Sequence, residues 1–268
     1  RSGLVQFCTG AGKTVVGLKA IEWSISQAIP VFVLVPSAAL LNQWATEITE
    51  IFPNALKVLA GDGNNLWKKR GVLEALLAQP GDKGAIIIAT SGTAMSSEFL
   101  RRAERYESVL FIADEVHNYG AKKASRILTL PFTYRLALSA TPERYGDPEG
   151  TSKIFSYFGP TLNPVIDIPT AIAKKRLVPY RYDFEVARLN QEEQEDWDKL
   201  TKEISRLVAQ QSSAVTFSED GQPSTLQMKI LKRSRIAKKA EAKVRLGIDI
   251  LEKNFAPGQK WLIFLEDT

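Results

Sequence analysis

Leu4-Val5-Gln6-Phe7-Cys8-Thr9-Gly10-Ala11-Gly12-Lys13-Thr14 is the stretch that decides the fold. The apolar run Leu4 to Cys8 reads as a buried strand, and a helical pattern opens directly after the glycines. Gly10 and Gly12 permit backbone turns that point successive amides inward, and the helix beginning near Lys13 adds its positive end to the same concavity. Such a concavity suits phosphates. Lys13 can reach the β and γ phosphates as a point charge, and the Thr14 hydroxyl can ligate magnesium. Thr9, Gly10, Ala11, Gly12, Lys13 and Thr14 are therefore the candidate nucleotide-binding residues, with ATP and Mg2+ as the implied cofactors.

Outward from that loop, short apolar runs recur at Val31 to Val35, Ala85 to Thr90, Val109 to Ala113 and Arg135 to Ser139, each reading as a strand buried on both faces. Helical patterns lie at Thr14 to Gln27, Ala39 to Ile51, Leu66 to Ala78 and Ser96 to Arg105. This alternation predicts an α/β fold with a parallel sheet flanked by helices. In that setting the glycine loop has the strand before it and the helix after it that a Walker A motif requires. It departs from the full pattern at Phe7, where the first glycine would fall. A glycine-rich turn that packs closely and holds no ligand is the alternative reading.

Phe111-Ile112-Ala113 delivers Asp114-Glu115-Val116-His117 at the carboxyl end of a strand, the edge where α/β sheets carry their ligand groups. The next strand ends in Leu136-Ala137-Leu138-Ser139-Ala140-Thr141-Pro142-Glu143-Arg144. Following Lys13 in this order, Asp-Glu-Val-His resembles motif II and Ser-Ala-Thr resembles motif III of the superfamily 2 helicases and translocases. The resemblance implies a RecA-like P-loop lobe. It implies that Asp114 anchors the metal through its water shell and that Glu115 orients or deprotonates the attacking water. Glu115, Lys13 and Asp114 are then the catalytic candidates, and Thr14 and Asp114 the metal candidates. His117, the one histidine of the chain, would couple the nucleotide site to the hydroxyls of Ser139 and Thr141. A hydrogen-bonded structural histidine is the other reading of that residue.

Val33-Leu34-Val35-Pro36-Ser37 with Leu40-Leu41-Asn42-Gln43-Trp44 resembles motif Ia of the DNA-repair and restriction branch, and Ile88-Ala89-Thr90-Ser91-Gly92-Thr93 resembles the next such motif. Ser37, Thr90 and Thr93 are the candidate nucleic-acid contacts, suited to phosphates rather than bases. Helix N-capping is the alternative for each. Trp44, behind Leu40 and Leu41, reads as core, and Gln43 as packing and capping, rather than as a stacking platform for bases. Tyr157-Phe158-Gly159-Pro160, Ala171-Ile172-Ala173 and Leu177-Val178-Pro179-Tyr180 extend the likeness towards relatives of the xeroderma pigmentosum group B repair helicase and restriction or phage-defence motors.

Three regions are expected. Residues 1–165 form the ATP-binding lobe, and residues 166–223 a connecting segment with an acidic helix at Asn190 to Gln211 and a polar loop at Ser212 to Pro223. Residues 224–268 would supply one basic helix, to about Asn254, and then the first strand of an incomplete second lobe at Trp261 to Leu265. Lys229, Lys232, Arg233, Arg235, Lys238, Lys239, Lys243 and Arg245 give that helix its charge, over a stripe that includes Leu226, Ile230, Ile236 and Val244. The charge reads either as a solvated face with salt bridges or as a contact to DNA. A sequence running from Arg1 to Thr268 reads as a piece of a larger protein whose arginine-bearing later motifs lie beyond it. Because such an arginine is worth several powers of ten in phosphoryl transfer, the isolated chain is expected to hydrolyse ATP poorly.

Composition narrows the remainder. The balance of 35 Lys plus Arg against 30 Asp plus Glu, a formal charge of +5, suits a polyanionic partner without requiring one. A single cysteine, Cys8, excludes an intrachain disulfide framework and a cysteine-based zinc cluster, and fits a reducing compartment, cytoplasmic in a prokaryote or nuclear in a eukaryote. The longest apolar runs fall far short of the roughly 20 residues that cross a bilayer. The expected partners are DNA, the missing second lobe, and a nuclease, methylase or other defence or repair subunit, with no membrane. The expected function is an ATP-dependent DNA helicase or translocase motor. A nucleotide-gated DNA-binding scaffold and an RNA-dependent ATPase compete with it.

Overall fold

The structure, a computed structural model, describes residues 1–78, 81, 83–210 and 224–264. It divides into two compact units, Arg1–Tyr180 and Arg181–Thr268. The first unit alternates as the sequence pattern requires: β1 (Ser2–Gln6), α1 (Lys13–Ser26), β2 (Val31–Val35), α2 (Ala38–Ile51), β3 (Leu56–Ala60), α3 (Val72–Ala78), β4 (Ala85–Thr90), α4 (Ser91–Ala94), α5 (Ser97–Ala103), β5 (Leu110–Asp114), β6 (Tyr134–Ser139), α6 (Pro148–Phe158) and α7 (Ile168–Ala173). The strands form one six-stranded sheet in the order β1-β6-β5-β2-β4-β3. All of its pairings are parallel.

Side-chain alternation along each strand divides the core between the two faces of the sheet. Phe32, Phe111, Ala113 and Ala137 face one side, with Phe99, Tyr119 and Phe158. Val33, Leu110, Ile112 and Leu138 face the other, where α1 and α2 supply Ile21, Leu41, Trp44 and Ile48. The central strands β2 and β5 are buried at every residue, as expected of a parallel sheet covered on both sides.

β3 is the strand that the sequence pattern did not reveal. Among the described residues it lies at the sheet edge and pairs with β4 alone, so Leu56 stays 56% exposed and the apolar signal is diluted. The expected helix at Leu66 to Ala78 is a single 3-10 turn at Leu66–Lys68 followed by α3. The one at Ser96 to Arg105 is the shorter α5, capped by the Ser96 hydroxyl.

The lobe does not stop at residue 165. Leu162 and Ile166 donate their amides to the carbonyls of Leu4 and Gln6, and Cys8 donates to Ile166 at 2.7 Å. The segment thus continues the edge beside β1. Ala171, on α7, buries against Cys8 and Ala11.

Among the described residues, two buried side-chain polar atoms lack a hydrogen-bond partner, Arg135 Nε and the Tyr119 hydroxyl. Burial, and then the charges of Asp114 and Glu115, hold the ionisation of Tyr119 well above the usual phenol range. Since an unpaired buried hydroxyl costs about 1–3 kcal/mol, Tyr119→Phe is expected to leave the stability unchanged or raise it by about 1 kcal/mol. Urea unfolding would measure the change, and a clear loss would reveal a partner for the hydroxyl.

The second unit holds α8 (Gln191–Gln210), α9 (Thr225–Lys238) and α10 (Glu241–Asn254). The basic segment is therefore two helices rather than one. Ala240 leaves the helical region at φ −51, ψ 127 and is buried, while the Glu241 amide donates to the Glu193 carboxylate on α8 at 2.9 Å. That external acceptor replaces the intrahelical bond and starts a new helix. Lys229 pairs with Glu203 of α8 at 2.5 Å, and Arg233 lies over the Trp197 ring at 5.0 Å. These two cations carry structural contacts.

Trp261 to Phe264 is a second correction, for it carries no strand pairing among the described residues. A strand is stable only beside a neighbour that takes up its amides and carbonyls. Leu265 and the loop expected at Ser212 to Pro223 lie outside the described residues. None of the helices is long and apolar enough to cross a membrane, among the residues described.

Candidate functional site

The sheet order determines what can meet. β1 and β5 are both direct neighbours of β6, and in a parallel sheet all three strands end on the same edge. The glycine loop after β1, the acidic string after β5 and the serine closing β6 are thereby brought together.

The loop has the form that phosphate binding needs. Gly10 and Gly12 have φ of 80 and 100, in the left-handed region that favours glycine. Phe7 is not among the positive-φ residues, which explains why a side chain is tolerated at the position where the pattern would place glycine. A methyl group at Gly10 would lie 2.8 Å from Leu177 Cδ2, so the segment after α7 closes over the loop. α1 begins at Lys13 with Gly12 as N-cap and no side-chain capping bond. Its first-turn amides therefore remain available to an anion. Ala11 and Lys13 are buried, Gly12 and Thr14 half-buried, and Thr9 and Gly10 exposed at the rim.

Lys13 links the two sides of the site. Its Nζ donates to the Phe7 carbonyl at 3.2 Å and lies 4.0 Å from Glu115 Oε1. Glu115 has φ 49 and ψ 54, a left-handed backbone costing a non-glycine residue roughly 1–2 kcal/mol. The turn aims the Glu115 carboxylate at Lys13 and leaves it partly open to solvent.

Asp114 is 6% exposed, and both of its oxygens are engaged. Oδ1 accepts the Glu115 amide at 3.0 Å, and Oδ2 accepts the indole Nε1–H of Trp44 at 2.9 Å. Strand parity explains the second bond: Asp114 follows Leu110 and Ile112 on the face covered by α1 and α2. Trp44 is 1% exposed, in the core as its apolar neighbours Leu40 and Leu41 predict. Its bond to the acidic string has no sequence signal, because the partners stand 70 residues apart. Gln43 neither packs nor caps: it is exposed on α2 and donates to Glu47 one turn along at 2.9 Å, because its position faces away from the stripe that Leu41, Trp44 and Ile48 bury.

His117 Nδ1 lies 3.1 Å from the Ser139 hydroxyl and 3.5 Å from Glu115 Oε2. The Ser139 oxygen also accepts the Thr141 amide at 3.2 Å. Thr141 thus joins the cluster through its backbone, and its side chain is exposed.

Arg144, which carries no functional signal of its own in the sequence, clamps the acidic loop. It donates from one guanidinium nitrogen to the His117 carbonyl and from Nε to Asp147 at 2.7 Å. Asp147 in turn caps α6 through the Gly150 amide. The Arg144 bond, then the Gly150 amide, hold the Asp147 carboxyl below its usual range. A folded value below the unfolded one stabilises above the unfolded value, near pH 3.8, and that contribution is lost as pH falls through the folded value. Asp147→Asn is expected to flatten the loss of stability below about pH 4, read by acid unfolding. An unchanged acid limb would contradict the clamp.

Thr90 ends β4 and Ser37 follows the end of the neighbouring β2 by two residues, with Val35 and Thr90 paired. Ser37 is exposed and caps α2 by accepting the Leu40 amide at 3.3 Å, the alternative foreseen for it. Thr90 makes no capping bond, and its hydroxyl donates to that of Thr93 at 3.3 Å. The three candidates share one sheet edge.

Residues 1–144 match the family described as "Type III restriction enzyme, res subunit". The chain is 25% identical over 212 residues to the DNA 3'-5' translocase XPB2 of Sulfurisphaera tokodaii, covering 78% of this chain and 42% of the relative. It is 34% identical over 142 residues to a putative DNA 3'-5' helicase Rad25 of Halobacterium salinarum, covering 52% of this chain and 20% of the relative. The chain thus spans less than half the length of these curated relatives. In fold it is similar to the Hef helicase domain of Pyrococcus furiosus, at a TM-score of 0.52, 17% identity, and coverage of 94% of this chain and 53% of that one. A nuclease-deletion mutant of the type ISP restriction-modification enzyme LlaGI gives 0.51 and 17%, over 65% of this chain and 16% of that one. The six-stranded lobe is RecA-like.

Proposed function

This chain belongs to the family of the type III restriction enzyme res subunit, within the superfamily 2 helicases, and on that premise we propose that its first unit is the Mg-ATP-binding lobe of a DNA helicase or translocase. The observation that carries the reading is the 4.0 Å approach of Lys13 Nζ to Glu115 Oε1. A phosphate-reaching cation and a carboxylate suited to activate water converge on a glycine loop with open amides. Bound nucleotide would draw Lys13 away from the Phe7 carbonyl onto phosphate oxygens, while the amides of the loop and the α1 N-terminus solvate the remaining charge.

The Thr14 hydroxyl and the Asp114 carboxylate are hard oxygen donors that fit a magnesium ion arriving with its nucleotide. Such an ion, when bound, would neutralise charge on the phosphates. Glu115 would orient the attacking water and accept its proton. Its contact with Lys13 would be replaced by this one when phosphate draws the lysine away. Ser139, between His117 and Thr141, connects the acidic loop to the segment after β6, and a change at Glu115 would pass along it.

DNA is the proposed substrate, contacted along its backbone by the sheet edge that carries the exposed Ser37 and the half-buried Thr90 and Thr93. The names of the curated relatives support DNA over RNA. ATP turnover by the full-length protein, measured with single-stranded DNA and with RNA of equal length, tests this. Stimulation by DNA alone is expected, and stimulation by RNA alone, or by neither, would contradict it.

A further inference from the structure

We propose that Trp44 is a positioning residue for the metal-facing carboxylate, holding Asp114 in the one rotamer that leaves it directed at the nucleotide's metal; this rests on the nucleotide reading above. The torsion of a buried carboxylate is set by packing, by its rotamer wells and by the hydrogen bonds it accepts. Among the described residues Asp114 accepts two such bonds, and the indole bond at 2.9 Å is the one from a different part of the chain. The other comes from the adjacent amide of Glu115, which moves with it.

The indole is itself immobilised. It is 1% exposed and part of the core beneath α1 and α2. A Cβ at Gly17 would lie 2.6 Å from Trp44 Cη2, so the ring occupies the space that the glycine of α1 leaves open. Trp44 therefore touches the helix that starts at Lys13, belongs to the helix that Ser37 caps, and bonds the carboxylate at the end of β5. A phenylalanine would fill much of the same volume without offering the N–H.

The role separates from simple packing through its dependence on metal. Asp114 would act on the ion and not on the bare nucleotide, so a misplaced carboxylate weakens only the metal-assisted part of binding. Partners that orient a ligand to a metal are typically worth roughly 10- to 100-fold in its affinity.

The test is calorimetric titration of ATP into the full chain, once with excess Mg2+ and once with EDTA, for the parent, Trp44→Phe and Lys13→Ala. Trp44→Phe is expected to bind metal-free ATP as the parent does and to lose roughly 10- to 100-fold of the gain that Mg2+ gives. An unchanged gain from Mg2+ in folded Trp44→Phe would overturn the proposal. Should Trp44→Phe fail to fold, an isosteric residue with sulfur replacing the indole N–H preserves the ring shape, and the same two outcomes apply. Lys13→Ala discriminates between failures: if it binds ATP as tightly as the parent in both buffers, the nucleotide reading falls, and the role of Trp44 falls with it.

Discussion

Glu115→Gln is expected to bind ATP with undiminished affinity while DNA-stimulated turnover in the full-length protein falls by roughly 10²- to 10⁴-fold, the usual contribution of a positioned general base. The amide keeps the size and the hydrogen-bonding reach of the acid but cannot take a proton from water. It also removes a negative charge 4.0 Å from Lys13 and 3.5 Å from His117, which favours phosphate binding. Retained binding with lost turnover is therefore the signature of the role. Single-turnover hydrolysis alongside equilibrium binding would measure it, and a variant hydrolysing at the parental rate would remove Glu115 from the chemistry.

Lys13→Ala should have the converse profile, with binding itself lost. A charge-assisted bond to phosphate contributes roughly 1.5–3 kcal/mol, so affinity is expected to fall by about 10- to 100-fold. Lys13 is 9% exposed, and truncation also removes its bond to the Phe7 carbonyl. Thermal unfolding without nucleotide separates that structural cost from the ligand effect. If ATP raises the unfolding temperature of Lys13→Ala as much as that of the parent, the lysine does not contact the phosphates.

The parts of this lobe that were legible in the sequence are those where one physical requirement dominates. β2, β4, β5 and β6 lie inside a parallel sheet, so their residues are almost continuously apolar, whereas the edge strand β3 is only half covered. Gly10 and Gly12 were legible because their left-handed backbones exclude other residues. Phe7 shows the limit of that logic, since its own backbone does not require glycine. Side-chain contacts between distant segments left no local trace. Trp44 reads correctly as core from its apolar surroundings, but its bond to Asp114 depends on which face of β5 the carboxylate takes. The clamp of Arg144 on the His117 carbonyl depends equally on a fold-level neighbour. In the second unit, the helical pattern from Ser224 to Asn254 hides the break at Ala240, because the competing acceptor belongs to Glu193.

A structure of the protein with Mg2+ and a non-hydrolysable ATP analogue would test the central claim most directly. The terminal phosphates should lie in the turn from Gly10 to Thr14, with Lys13 Nζ moved off the Phe7 carbonyl onto them, Glu115 facing the γ-phosphate and the ion near Thr14 and Asp114. A nucleotide bound elsewhere, with Lys13 still on Phe7, would contradict it.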